Sequence, residues 1–532
     1  MVRVFGCSLL FLSLAFGASA QRNRLTPEQQ ALDAMKRSTE YMMDVVSYNG
    51  GFVWSYLPDL SRQWGEMEAK RTMVWAQPPG TPSMGHLLLD VYHATGDEYY
   101  YQMAERVTNA LIWGQLPCGG WNYTFDFAGE ASLKEWYATI GQNGWRLEEF
   151  HYYYGNATFD DGGTASSANL LLRMYVEKYD PKFKPALDKA INFVLESQYP
   201  IGGWPQRYPL RYDYAHDGLP DYTSFITLND DVADENTDFL IRCYQALGLQ
   251  GVMDPINRSM NSLRILQQGA PQAGWALQYT LDLKPAGARS YEPNGLASHG
   301  TASAMGKLMD YYELTGESKY LLGIPAAFEF LESIQLSPAE LAAAGRNAPA
   351  PGTIVCPTFV EVGSGKPLYI HRTGSNIVNG HYYIDQDLRN VAGHYGSVRT
   401  VNIAALRERY ERLLETPVEE LTAGSPLLNT ELVPLDKYFT AFRAGEVSQE
   451  AALRIIGQLN GEGYWPVPIG STSNPYIGPG KKDEVAPGDF GPTNVGDQYD
   501  TSPYRAQDPP MGITTSSYIS NMMTLARFVT KE

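Results

Sequence analysis

The hydrophobic and polar positions of this chain predict mostly helices joined by short glycine-rich turns. Segments beginning at Gly80-Thr81, Gly163-Thr164 and Gly300-Thr301 carry small and apolar residues at helical spacing. A similar segment begins at Gly512, near the C-terminus. Thr or Ser at such a position can cap a helix start by accepting hydrogen bonds from free backbone amides. Each segment therefore predicts the first turn of a helix.

A second motif, two glycines followed by an aromatic residue, recurs along the chain. Clear copies and looser ones stand at Gly50–Phe52, Gly119–Trp121, Gly202–Trp204, Ala273–Trp275 and Gly463–Trp465. The separation from Gly80 to Gly119 is 39 residues, and the separation from Gly163 to Gly202 is 39 again. That length holds two helices of typical size and a short connection. The repeat therefore predicts a series of helical hairpins.

Repeated hairpins with aromatic turns at one end predict a mainly α fold, an (α/α) toroid with short β segments in its loops. An open helical solenoid is the alternative. The toroid is favoured because aromatic turns suit a ligand cleft that all repeats share. Short strands are expected near residues 353–369, where β-branched residues cluster. No Pro- or Ser-rich linker divides the chain, so residues 21–532 are expected to form one extended domain.

The N-terminus has the pattern of a secretory signal peptide over residues 1–20. Arg3 supplies the positive start, an apolar run follows, and Ala18-Ser19-Ala20 supplies the small-residue cleavage site. The apolar run is too short to span a bilayer. We therefore expect a secreted or periplasmic protein without membrane insertion.

The net charge limits the possible binding partners, and the cysteine count limits the possible disulfides. The formal net charge of −18 argues against nucleic acid and against an anionic membrane surface. It also disfavours a polyanionic substrate, unless hard divalent cations bridge enzyme and substrate through carboxylates. After processing, Cys118, Cys243 and Cys356 remain. An odd number permits one disulfide at most, and buried free cysteines are the favoured interpretation.

Paired acids stand at the start of two predicted helices. Asp160 and Asp161 precede one helix, and Asp230 and Asp231 open another. Acids near a helix N-terminus are common capping residues. Alternatively, these acids form a metal site or an acid/base site at the mouth of the toroid, and carboxylates are the ligands that Ca²⁺ prefers.

Two further stretches carry candidate substrate contacts. In the turn that holds Trp204, Gln206 and Arg207, the aromatic ring could stack on a sugar with the two polar side chains beside it, or the Trp could plug the core. Arg372 and Arg389, beside apolar and Pro-rich loops, could clamp a carboxylate or form ordinary surface salt bridges.

Four motifs occur in order: Asp160–Thr164, Gly202–Gln206, Asn229–Asp231 and Lys284–Arg289. Together they resemble the pectate lyases of polysaccharide lyase family 10, the pectic acid lyase family, over about residues 145–400. The sequence departs from that family at Asp161, where Asn is usual, and by an insertion from Asp213 to Asp221.

The resemblance implies an α/α toroid that cleaves a uronate polymer, with pectate the best guess, by Ca²⁺-assisted β-elimination. It implies that Arg289 is the catalytic base and that Asp160, Asp161, Asp230 and Asp231 match calcium or substrate ligands. Lys284, Arg372, Arg389, Trp204, Gln206 and Arg207 are then expected to bind substrate. A neutral arginine would require calcium and neighbouring arginines to depress its pKa, which predicts an alkaline optimum.

Two other functions remain open at this point. A glycoside hydrolase on the same fold would use the paired acids as acid and base, without calcium. A non-catalytic glycan-binding protein would use the aromatic turns as a platform. For each of these functions we expect a monomer.

Overall fold

The structure, a computed structural model, describes residues 25–141, 148–212, 220–373, 381–389, 391, 395–428, 446–469 and 510–530. The signal peptide predicted over residues 1–20 lies outside the described residues, as does most of the predicted insertion. In the described part, the helices that matter here number from α1 to α15 in chain order. They are α1 Pro27–Tyr41, α2 Thr81–Thr95, α3 Glu98–Gly114, α4 Glu130–Ala138, α5 Gly163–Lys178, α6 Lys184–Ser197, α7 Val232–Leu247, α8 Met253–Ile265, α9 Ser298–Thr315, α10 Ile324–Ser333, α11 Pro338–Ala343, α12 Ile403–Glu415, α13 Val418–Leu421, α14 Gln449–Gln458 and α15 Thr515–Val529.

The helices form successive hairpins, and the predicted (α/α) toroid is confirmed. α2 packs on α3, α5 on α6, α7 on α8 and α9 on α10. The first helices of these hairpins also follow one another, since α2 packs on α5 and α5 on α7. α15 packs on both α1 and α2, which brings the C-terminal end of the chain to its N-terminal end. The starts of the inner helices α2, α5, α7 and α9 are thereby gathered around one cleft.

Short strands occupy the loops, as predicted, and every pairing is antiparallel. The sheet orders are β17-β18-β1-β2-β3 and β10-β9-β8, with the two-stranded pairs β11-β13, β12-β16, β14-β15, β4-β5 and β6-β7. The strands are β1 Ser55–Tyr56, β2 Gln63–Trp64, β3 Glu68–Ala69, β4 Met73–Trp75, β5 Thr124–Asp126, β6 Ala157–Thr158, β7 Arg207–Tyr208, β8 Ile226–Thr227, β9 Gln278–Tyr279, β10 Pro285–Ala286, β11 Gly295–Ala297, β12 Ile354–Pro357, β13 Phe359–Glu361, β14 Tyr369–Thr373, β15 His381–Asp385, β16 Val398–Val401, β17 Val467–Pro468 and β18 Met511–Thr514.

The repeated Thr residues do not cap their own helices, and the expectation that they would is wrong for α2, α5 and α9. Instead the Thr hydroxyl accepts the backbone N–H of the aromatic turn residue of the preceding repeat. Thr164 Oγ1 accepts from Trp121 at 3.0 Å, and Thr301 Oγ1 accepts from Trp275 at 3.1 Å. The two sequence motifs recur together because each inner helix start is bonded to an aromatic turn.

Each turn Trp fills the space beside the helix that precedes it. The indole N–H of Trp204 donates to the Val194 carbonyl at 2.8 Å, and Trp121 bonds to Leu111 in the same way. The first turn glycine has positive φ, 109° at Gly202, and a Cβ there would lie 2.1 Å from the Arg258 carbonyl oxygen. Glycine is therefore required where the turn crosses the outer helix.

One hydrophobic cluster runs through the described chain from Ala31 to Ala526. Cys118, Cys243 and Cys356 are free, as expected, and the last two are buried. A search of the described residues finds no helix of the length and apolar character needed to cross a membrane.

Candidate active site

Two equivalent turns bring the paired acids together. Asp160–Gly162 is a short 3₁₀ turn before α5, and Asn229–Asp231 is the same turn before α7. Asp161, Asp230 and Asp231 have φ values of 49°, 51° and 55°, in the left-handed region that residues with a Cβ rarely adopt. Backbone strain of this kind is typical of functional sites, because the surrounding structure must hold it in place.

Three of the four predicted acids converge. Asp160, Asp161 and Asp230 each offer a carboxylate oxygen, and these three oxygens lie within 4.8 Å of one another. Asp160 is fully buried, and within the part of the chain that the structure describes its Oδ1 has no hydrogen-bond partner. An all-carboxylate donor set with an unpaired buried oxygen fits a hard cation such as Ca²⁺. Asp231 is exposed and outside this group of oxygens.

Arg289 lies against the same acids. Its side chain is 3% exposed. Nε and Nη2 donate to the two Glu292 oxygens at 2.9 and 2.8 Å, Nη1 donates to Asp160 at 3.3 Å, and Nη2 donates to Asp230 at 3.2 Å. Glu149 Oε2 lies 3.5 Å from Nη1. The guanidinium therefore shares two carboxylates with the candidate cation site.

The carboxylates of the site outnumber its positively charged side chains. The pKa of one acid is therefore lowered, while the pKa values of several others are raised. Burial raises the pKa of Asp160, but the Arg289 charge and hydrogen bonds from neighbours outweigh it and lower the pKa to about 2. The pKa values of Asp161 and Asp230 are raised well above normal by burial and by the charge of Asp160. Burial likewise raises the pKa of Glu149 to about 8. A bound divalent cation would remove much of this repulsion.

The pKa of Arg289 moves up, not down. Burial works against its charge, but Glu292, Asp160 and Glu149 outweigh burial and raise the pKa well above its usual value. The expectation that neighbouring arginines depress this pKa is wrong for the part of the chain that the structure describes, because the groups bonded to Arg289 are carboxylates. A neutral Arg289 therefore requires that these negative charges be offset.

Glu292, Glu149 and Tyr123 belong to the site, although we did not predict them. The Tyr123 hydroxyl donates a short hydrogen bond to Asp160 Oδ2. Glu292 Oε1 accepts from Asn229 at 2.9 Å and from the Tyr395 hydroxyl at 2.7 Å. A sequence signal existed for Glu292 alone, since it lies three residues after Arg289, the last residue of one of the four motifs. Glu149 and Tyr123 lie far from Arg289 in the sequence.

The N-terminal repeats extend the cluster beyond the family-like segment. The Gln77 amide donates to Asp161 Oδ2 at 2.7 Å and to Glu66 Oε2 at 2.9 Å. Burial and the charge of Glu149 raise the pKa of Glu66 to about 8. Burial also raises the pKa of Glu235, at the start of α7, to about 8. The cleft is therefore strongly acidic on several sides.

The residues of the predicted aromatic platform are buried next to the site. Trp204 is fully buried and Arg207 is 2% exposed, so the ring has no face open to a sugar, and the core-plug alternative describes it. The Arg207 guanidinium bonds to Asn122 and lies over the rings of Tyr123 and Tyr154. Gln206 is also buried, and its amide lies close enough to Asp160 to lower the pKa of that acid. Arg207 and Gln206 are therefore buried neighbours of the site, next to Tyr123 and Asp160 respectively.

The remaining predicted substrate residues lie in surface elements. Lys284 is exposed just before β10. Arg389 is exposed and bonds to Asp387, with Nε to Oδ1 at 2.9 Å. Arg372 lies in β14, paired in register with Tyr382; its side chain is outside the described part. The structure does not bring Lys284 or Arg389 into contact with the carboxylate cluster in the described residues.

Comparison with known proteins gives a family match and several structural similarities. Residues 141–379 match the sequence profile of the family described as pectic acid lyase. A family 10 polysaccharide lyase from Cellvibrio cellulosa is 18% identical with a TM-score of 0.35, covering 64% of this chain and 92% of that one. A mutant of that family 10 lyase, in complex with trigalacturonic acid, is 17% identical with a TM-score of 0.35 and covers 66% and 89%.

An α-1,6-mannanase from Salegentibacter sp. is 10% identical with a TM-score of 0.36 and covers 94% of this chain and 98% of that one. A search of curated proteins gave no match. The structural similarities are too low to bear on function, whereas the family match includes Asp160, Asp230 and Arg289. Over residues 141–379, a little under half of its length, the chain is therefore similar to the pectic acid lyase family, and this match supports a polysaccharide lyase.

Proposed function

We propose that this lyase cleaves polygalacturonate by β-elimination at the carboxylate cluster, with Ca²⁺ held by Asp160, Asp161 and Asp230 and with Arg289 as the base. One observation carries the proposal: the Arg289 guanidinium bonds to Asp160 and Asp230, two of the three acids whose oxygens converge. A base and a cation site that share ligands can act on the same sugar unit.

The reaction needs a base beside an acidified carbon. The base takes the proton from C5 of the uronate, and the C5–H electron pair becomes the C4–C5 double bond. The C4–O bond breaks, and the departing oxygen takes a proton. When bound, Ca²⁺ would withdraw charge from the uronate carboxylate next to C5 and so make that proton easier to remove.

Arg289 is positioned for this role by its neighbours, but it is also held protonated by them. Each unit by which its pKa exceeds the working pH costs about 1.4 kcal/mol when it loses its proton. Asp160 contributes to the raised pKa of Arg289, and Asp230 also bonds to the guanidinium, so offsetting the charge at these acids lowers the cost. The proposal therefore carries an alkaline optimum and an absolute need for the cation.

Three further cations complete the proposal. Lys284, Arg372 and Arg389 are proposed to contact uronate carboxylates, and exposure of Lys284 and Arg389 supports this. Secretion or periplasmic export through residues 1–20 belongs to the proposal as well, since the polymer is extracellular.

The role of Arg289 is tested with Arg289→Lys and, as a matched control, Arg264→Lys on the exposed face of α8. Lys lacks the planar fork that bonds both Glu292 oxygens. We expect kcat on polygalacturonate to fall by at least about 100-fold in Arg289→Lys, the typical contribution of a general base. The control should keep full activity. Near-normal turnover in Arg289→Lys would contradict the assignment.

A further inference from the structure

A pocket of about 280 Å³ opens beside the carboxylate cluster, where α7, α8 and α9 meet. Asp230 forms part of its wall, so the pocket adjoins the proposed cation site. Its other chargeable or polar lining side chains include Asp231, Asp234, His299 and Ser303. The rest of the wall is largely apolar, formed by Leu228, Ala233, Leu263, Ala276, Leu277 and Ala304.

The charge of this lining disfavours a free uronate carboxylate. Asp231 and Asp234 are carboxylates, and no Lys or Arg is among the described residues that line the pocket. Lys307 lies outside the lining, and its Nζ is 3.9 Å from Asp234 and 3.8 Å from Asp238, so its charge is offset. A second carboxylate placed here would meet like charges without a cation between them, whereas an uncharged group would not.

His299 supplies an unused polar contact in the same pocket. Its Nδ1 is buried with no hydrogen-bond partner among the described residues, and its ring stacks on Tyr395 with centroids 5.6 Å apart. A buried unpaired ring nitrogen costs free energy that a ligand hydroxyl or ester oxygen can recover. Ser303 is exposed and adds a hydroxyl to the pocket wall. The pocket therefore combines apolar walls with hydrogen-bonding groups, as sugar subsites do.

We infer that this pocket is a subsite for a methyl-esterified galacturonate unit, held beside the bond that is cut. The inference rests on the proposed function and narrows its substrate class. Free carboxylates belong at the cation site, while the adjoining unit is accepted in its neutral ester form. Its methyl group packs against the apolar wall.

The test uses partly methyl-esterified pectin and fully unesterified polygalacturonate, each with Ca²⁺. Mass spectrometry of the wild-type pectin products locates each methyl ester relative to the new C4–C5 alkene. Ser303→Lys places a cation in the pocket, and Ser318→Lys makes the same change at an exposed position near the other end of α9. We expect an ester enriched at one fixed position near the cut. We also expect the ratio of kcat/KM for pectin to kcat/KM for polygalacturonate to fall about tenfold in Ser303→Lys and to stay unchanged in Ser318→Lys.

The outcomes separate this inference from the proposed function. Alkene formation from polygalacturonate, with esters excluded from every position near the cut, would overturn the subsite and leave the proposed function standing. An unchanged substrate ratio in Ser303→Lys would also overturn the subsite. If neither polymer yields an alkene, the proposed function fails and the subsite fails with it.

Discussion

Arg289 and Glu292 form a two-pronged ion pair at the centre of the cleft. Nε and Nη2 of the guanidinium donate to the two oxygens of the carboxylate at 2.9 and 2.8 Å, and the backbone N–H of Arg289 donates to the same group at 3.0 Å. Asn229 and Tyr395 hold the carboxylate from its other side. Glu292 therefore fixes the plane of the guanidinium and favours its protonated form.

Glu292→Gln should shift the pH dependence of catalysis. Removing the negative charge lowers the pKa of Arg289, since Glu292 is the largest charge that raises it. The deprotonated form then becomes accessible at lower pH. We expect the rising limb of the kcat–pH profile to move down by at least about one pH unit. Glu329→Gln, on the exposed face of α10, is the control. A limb that stays in place would show that Glu292 does not set the protonation of the base.

Calcium affinity should depend on three acids and not on the fourth. Asp160, Asp161 and Asp230 converge, whereas Asp231 is exposed and outside the group. We expect Asp161→Asn to weaken Ca²⁺ binding by at least about tenfold, measured by calorimetry without substrate. Asp231→Asn, the matched control, should bind Ca²⁺ nearly as the wild type does. Equal losses in both variants would mean that Asp231 is a ligand, as the family resemblance implies.

The calcium-free protein should lose stability as the pH rises. Glu66 has a pKa of about 8 in the folded protein, above its ordinary value near 4.5, so the folded state binds its proton more tightly than the unfolded state. Stability therefore falls as the pH rises from about 4.5 to about 8. Glu66→Gln should remove part of this loss, on the order of 1 kcal/mol at pH 8 and nothing at pH 4. Urea unfolding in chelator measures it, with the exposed Glu415→Gln as control.

Trp204 should contribute to stability and not to substrate affinity. Its ring is fully buried and its N–H bonds to Val194. We expect Trp204→Ala to lower the free energy of unfolding by about 3–5 kcal/mol, with KM unchanged in the protein that folds. Trp113→Ala, where the ring is 53% exposed, should cost about 1 kcal/mol or less. A raised KM with unchanged stability would restore the sugar-platform interpretation.

The sequence revealed the hairpin repeat because glycine carries a strong local signal. Gly96 and Gly316 directly follow the helices α2 and α9, both with positive φ, and a glycine after a helical segment is a signal that the sequence alone displays. The role of the Thr residues was not visible, since the bond from Trp121 to Thr164 spans 43 residues. The local sequence favours a Thr side chain that caps its own helix. In the structure, the Thr hydroxyl instead bonds to an aromatic turn of the preceding repeat.

The candidate site could be predicted only where its residues share a motif. Asp160, Asp230 and Arg289 stood out because each lies in a short recognisable stretch. Glu149 could not be found, because it reaches Arg289 from 140 residues away with no pattern around it. The sign of the Arg289 pKa shift was also beyond the sequence, since it depends on how many carboxylates the fold packs against one guanidinium.

The most direct test is the ultraviolet absorbance of polygalacturonate mixed with the purified mature protein, first with Ca²⁺ and then with a chelator. The account predicts a rise in absorbance from the conjugated C4–C5 alkene that stops in chelator and resumes when Ca²⁺ is restored. New reducing ends without that absorbance, in chelator as well as in Ca²⁺, would show hydrolysis by the paired acids and would contradict the account.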